Sequence, residues 1–106
     1  MPSVEEFKKN FNLVHGHQFG NWRIVSLSVE ERTILRYQEY LFPITLVLEG
    51  VGDLDELNEN LSSLEVPRTI YSKYGNPYEC VIYDITIHPE KSYIVVNATG
   101  FAKRFY

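Results

Sequence analysis

RTIYSKYGNPYECVIYDITIHPEKSYIVVNATGFAKRFY, residues 68–106, is the stretch on which the fold turns. β-Branched and aromatic residues dominate it, and turn residues interrupt it at Tyr74-Gly75-Asn76-Pro77 and at Pro89-Glu90-Lys91. This pattern predicts three strands, Arg68 to Lys73, Tyr78 to His88 and Ser92 to Phe105, the last two forming a long hairpin. Alternation gives each strand two faces. In the last strand Ile94, Val96, Ala98 and Gly100 share one side, while Tyr93, Val95, Asn97, Thr99, Phe101, Lys103 and Phe105 share the other. In its partner Val81, Tyr83, Ile85 and Ile87 face one way, and Ile82, Asp84, Thr86 and His88 the other. Gly100 is expected to mark a bulge that switches sides beyond it.

Working outward, two helices carry matching start signals. Ser3 and Glu6 form a Ser-x-x-Glu capping box, followed by Phe7, Phe11 and Val14 in line with Val4, and Gly16 is placed to end the helix in a left-handed cap. Asp53 caps a second helix in which Leu54, Leu57, Leu61 and Leu64 recur at helical spacing, with Asp55 and Glu56 favoured by the dipole in its first turn and Pro67 stopping it. Between the helices, Trp22 to Val29, Thr33 to Tyr40 and Ile44 to Glu49 alternate as strands, with Pro43 at the start of the third. The order is α-β-β-β-α-β-β-β. Short connections make this an α+β domain with a mostly antiparallel sheet and both helices packed on one face.

Size and composition restrict the class. A chain of 106 residues with 44% hydrophobic and 14% aromatic content forms one domain, residues 1–106, with a core of its own. Cys80 is the single cysteine, so no internal disulfide forms, and a reducing, cytoplasmic setting is expected. The apolar run from Tyr40 to Leu48 is too short to span a bilayer, and the start of the chain does not read as a signal peptide, so no membrane association is expected. The net charge of −4 divides as −1 over residues 1–50, −5 over 51–66 and +2 over 67–106. Nucleic-acid binders usually carry a stronger positive field, so this balance disfavours that partner.

No motif for cofactor or catalysis emerges. His15-Gly16-His17 could chelate a metal, but a structural zinc site takes four spaced ligands, and a helix C-terminus explains His15 equally well. Gly50-Val51-Gly52-Asp53 lacks the third glycine of a dinucleotide loop and the Gly-Lys-Ser/Thr of a phosphate loop, and acidic residues follow it. Cys80 and His88 lie eight residues apart on one strand, roughly 26 Å if extended, too far for a dyad. Cys80 is expected in the core as a small hydrophobe. The chain therefore reads as non-enzymatic, without cofactor or metal.

The first five elements, residues 3 to about 65, resemble in order a double-stranded-RNA-binding domain. In that family a lysine-rich start of the second helix meets phosphates; here Asp53, Asp55 and Glu56 stand there. The resemblance therefore implies nothing about RNA binding. What remains is the C-terminal surface. Tyr93, Val95, Phe101, Lys103, Arg104 and Phe105 are the candidate binding residues. Apolar alternation on both faces exceeds what two helices cover, so the sequence predicts a small interaction module that forms a homo-oligomer through its C-terminal strands. Two alternatives use the same region. Tyr71, Tyr74 and Tyr78 with Arg68 and Lys73 extend it toward single-stranded nucleic acid. The third reading is an α+β cup enclosing a small ligand.

Overall fold

All the strand pairings of the computed structural model, which describes residues 2–105, are antiparallel. The elements are α1 (Val4–Asn10), β1 (Gln18–Phe19), β2 (Trp22–Val29), β3 (Thr33–Arg36), β4 (Glu39–Gly50), α2 (Leu54–Leu61), a 3-10 turn (Ser62–Glu65), β5 (Arg68–Tyr71), β6 (Pro77–Pro89) and β7 (Ile94–Arg104). The sheet runs β1-β2-β4-β7-β6-β5, with β3 pairing β4 beside β2. The result is the expected α+β fold with its mostly antiparallel sheet, drawn out to 43 × 20 × 20 Å. Among the described residues no helix is long and apolar enough to cross a membrane.

α1 begins as its capping box dictates: Glu6 N–H donates to Ser3 Oγ at 3.1 Å, and Ser3 N–H donates to Glu6 Oε1 at 3.2 Å. Its end differs from the expectation of a Gly16 cap. Asn12 takes the left-handed conformation, φ 56°, and the N–H groups of Asn12 and Leu13 close back onto Lys9 and Lys8 carbonyls. That is a Schellman ending with asparagine in place of glycine. It drives Leu13 into the core and leaves Val14 exposed, which removes Val14 from the helical stripe. Arg68 seals the helix C-terminus by donating to Asn10 O at 2.6 Å while lying 4.8 Å over the Phe11 ring.

The expected strand 33–40 is two strands. Gln38 adopts φ 68°, so the chain reverses at Tyr37-Gln38 and β4 begins at Glu39. Pro43 therefore lies inside a central strand rather than at its start. Its carbonyl accepts from Glu30 N–H at 2.9 Å, and in an antiparallel ladder a residue's N and C=O point the same way. The missing donor thus falls in the gap where β2 ends and β3 begins, and no ladder bond is lost.

Both helices cover the same face. Leu57 and Leu61 of α2 and Phe7 of α1 join Phe42, Ile44, Leu46, Ile82 and Val96 in one buried cluster. Gly100 needs to be glycine here: Phe7 stacks on Phe42 with ring centroids 4.6 Å apart, and a Cβ at Gly100 would overlap the Phe7 ring. No bulge occurs at Gly100, because the β4–β7 register continues unbroken and Ala102 is buried like Gly100. The bulge sits across the hairpin. Asp84, φ 54°, and Ile85 together oppose Ala98, so the register shifts between Tyr83 and Thr86. Ile85 and Ile87 consequently turn to the core, parting from Val81 and Tyr83, with which simple alternation groups them.

Replacing Gly100 by alanine is expected to lower unfolding free energy by about 1–3 kcal/mol through overpacking, and adding Phe7→Leu is expected to recover part of that loss. Urea unfolding of the two variants measures both effects. Equal stability of Gly100→Ala and wild type would contradict the packing described.

Candidate interface on the open face of the sheet

The face opposite the helices is assembled by register. β4, β7 and β6 lie side by side, and every second residue of each points outward in rows of three. Glu39, Lys103 and Glu79 form a charged row. Next to it comes Leu41, Phe101 and Val81, then Pro43, Thr99 and Tyr83. A hydroxyl and amide row follows, Thr45, Asn97 and Thr86, with Thr45 Oγ1 donating to Asn97 Oδ1 at 3.1 Å. Val47, Val95 and His88 complete the series at the hairpin end. At the other end the Phe105 N–H donates to Pro77 O at 3.2 Å, and Pro77 pairs with Tyr71, so these three residues lie across the β7 end, β6 and β5, one strand over from the rows that begin on β4.

Leu41, Pro43, Val81 and Phe101 are half-buried, Tyr83 is 38% exposed, and Thr45, Asn97 and Lys103 are exposed. An apolar strip two rows deep thus lies open between a charged row and a polar one. The extra residue at Asp84-Ile85 sets what β6 adds beyond the strip: without that bulge Thr86 and His88 would point to the core and the isoleucines outward.

The candidate residues separate. Val95, Phe101 and Lys103 project from this face, the side that uninterrupted alternation gives them, because the switch expected at Gly100 does not occur. Tyr93 lies in the hairpin loop, its carbonyl accepting from Glu90 N–H, while Phe105 follows β7 at the far end, some 40 Å away at strand spacing. Arg104 turns aside, donating to Asn76 Oδ1 at 3.1 Å. Leu41, Val81 and Tyr83 belong to the patch although sequence reasoning did not select them; β4 lies far from the C-terminal strands in sequence, and the bulge hid the side on which Tyr83 falls.

The aromatic and basic residues that suggested single-stranded nucleic acid are dispersed. Tyr78 is 2% exposed and donates to Gln38 Oε1 at 2.7 Å, and burial followed by the neighbouring Tyr40 raises its pKa. Arg68 is committed to α1, and Lys73 lies 5.8 Å over Tyr74 in a loop. For the cup reading, the concave side is filled by the packed core, and a cleft of about 440 Å³ lies outside it, lined by Ser3, Val4, Glu5, Glu31, Arg32 and Ile34.

Other polar candidates also lie apart. His17 is packed edge-on against Phe19, centroids 5.0 Å apart, beside exposed His15. Among the described residues no group of three or more His, Cys, Asp or Glu is placed to hold a metal ion. Cys80 faces the core and His88 the open face, opposite Val95, so the two also point to different sides of the sheet. Gly50 is explained by close approach, since a Cβ there would strike the Asn21 carbonyl. Comparison of the chain with known protein families, with curated proteins and with solved structures finds no match.

Burial pushes the Cys80 thiol up to about 12 from 9.0, with Glu79 adding to the effect. A thiol that stays neutral in the folded state stabilises that state fully below pH 9, and the contribution is lost as pH rises from 9 to about 12. Native protein is therefore expected to react with a thiol reagent at pH 8 only as fast as it unfolds, and Cys80→Ala to flatten the alkaline loss of stability. Rapid labelling of folded protein would contradict this environment.

Proposed function

We propose that this protein is a non-catalytic interaction or assembly module that self-associates through its C-terminal strands, using the open face of the sheet. The observation that carries the reading is the apolar strip of Leu41, Phe101, Val81, Pro43 and Tyr83 on the face that neither helix covers. Small domains normally cover such a surface, and aromatic residues grouped at its centre are typical anchors of protein interfaces. A second copy covers it without another gene product, because the same patch serves both partners.

Wild-type protein is expected to elute on a sizing column with light scattering above the 12.4 kDa of one chain, and Phe101→Asp to return it to that mass while melting as a folded domain. A wild-type mass of one chain at high concentration would defeat the proposal. Co-elution with a mixed single-stranded oligonucleotide, lost as salt is raised, would transfer the same surface to nucleic acid.

A further inference from the structure

Tyr93, set apart from the open face, lines a small pocket at the hairpin end of the molecule. Trp22 and Ile94 are its buried floor, and Leu54, Pro89 and Tyr93 are exposed walls around a volume of about 180 Å³. The Glu90 N–H donates to Tyr93 O at 2.9 Å and holds the loop that carries two of those walls. Drug-sized ligands occupy roughly 300–1,000 Å³, so this pocket has room for one apolar side chain.

Its polar feature is an indole. Trp22 is 8% exposed, and its N–H makes no hydrogen bond to a described residue. Among the described residues no unpaired side-chain nitrogen or oxygen is sealed in the interior, so this donor reaches the surface. Gly52 leaves the approach open: a Cβ there would stand 3.5 Å from Trp22 Nε1 and 3.9 Å from the Asn21 side-chain nitrogen. Gly52 lies in the chain between Gly50 and Leu54, which both line the pocket. Two donors thus converge on one point beside an apolar pocket, an arrangement suited to an acceptor oxygen.

Charge decides which acceptor fits. Asp53 and Asp55 flank Leu54, and Glu90 lines the pocket from the hairpin loop. Against them stands Lys91, the one basic residue among those lining it, while Glu49 beside Gly50 is faced by Arg23 across the ladder. A carboxylate or phosphate would meet like charge, so a neutral carbonyl fits better, with cations on either side of it. A polyproline II segment supplies both. Its carbonyls are unpaired, its backbone is extended before binding, and proline buries a ring without burying an N–H. We propose that the pocket takes a proline from an extended, arginine- or lysine-flanked segment of a partner protein, with a peptide carbonyl accepting from Trp22. This site is separate from the open face and does not rest on self-association.

Trp22 is the single tryptophan, so its fluorescence reports on the pocket directly. Titration with capped Arg-Pro-Pro-Pro-Pro-Arg at low salt is expected to give a saturable change. Capped Arg-Ala-Ala-Ala-Ala-Arg is expected to give none. Capped Glu-Pro-Pro-Pro-Pro-Glu is expected to bind about tenfold or more weakly, a gap that narrows as salt rises. Tyr93→Ala removes an exposed wall and is expected to weaken binding about tenfold without lowering the melting temperature. Trp22→Phe, followed by calorimetry, keeps most of the floor but deletes the donor, and a similar loss is expected. Where Trp22→Phe melts early, Tyr93→Ala decides. No saturable change at millimolar peptide, equal binding of the alanine or glutamate peptide, or full affinity in Tyr93→Ala would each overturn the proposal. Phe101→Asp, seven residues along β7 from Ile94, is expected to bind as wild type does. Loss of binding in that variant would move the peptide to the open face and overturn this site.

Discussion

The stacking of Phe7 on Phe42, in the space left by the missing side chain of Gly100, is the contact on which the arrangement depends. It sets α1 down directly on the two central strands. A helix of seven residues has little stability of its own, so its position comes from this packing, from the capping box at its start and from Arg68 at its end. Once α1 occupies one side of β4 and β7, Ile44, Leu46 and Val96 point beneath the same layer, and α2 extends that layer with Leu57 and Leu61. The opposite faces of the same strands are left open by this one-sided layering.

The second constraint is the extra residue at Asp84-Ile85. A bulge shifts register by one, which exchanges the sides of every residue beyond it. The hairpin end of β6 thereby contributes Ile85 and Ile87 to the core while presenting Thr86 and His88 outward. A backbone irregularity of one residue thus decides which β6 side chains beyond Tyr83 join the open face. The left-handed Gln38 has a comparable local effect: it turns what would be one strand into β3 and β4 and lets β4 run twelve residues through the middle of the sheet.

The sequence by itself determined the elements with strong local signals. The capping box at Ser3, the leucine spacing after Asp53 and the exact extent of Trp22–Val29 are short-range properties of neighbouring residues, as are the two long strands around Pro89. Alternation also grouped Val95, Phe101 and Lys103 on one side of β7, and that grouping holds because the strand lacks the bulge expected at Gly100. Only the tertiary structure decided the rest. Asparagine at position 12 and glutamine at 38 take left-handed conformations without a glycine to announce them, so the end of α1 and the β3–β4 turn were hidden. The Gly100 signal was real but pointed to the approach of Phe7 rather than to a bulge, since a missing side chain serves either purpose. Leu41 became part of the candidate interface because β4 lies against β7, some sixty residues away along the chain, and such long-range register is fixed by packing rather than by local spacing.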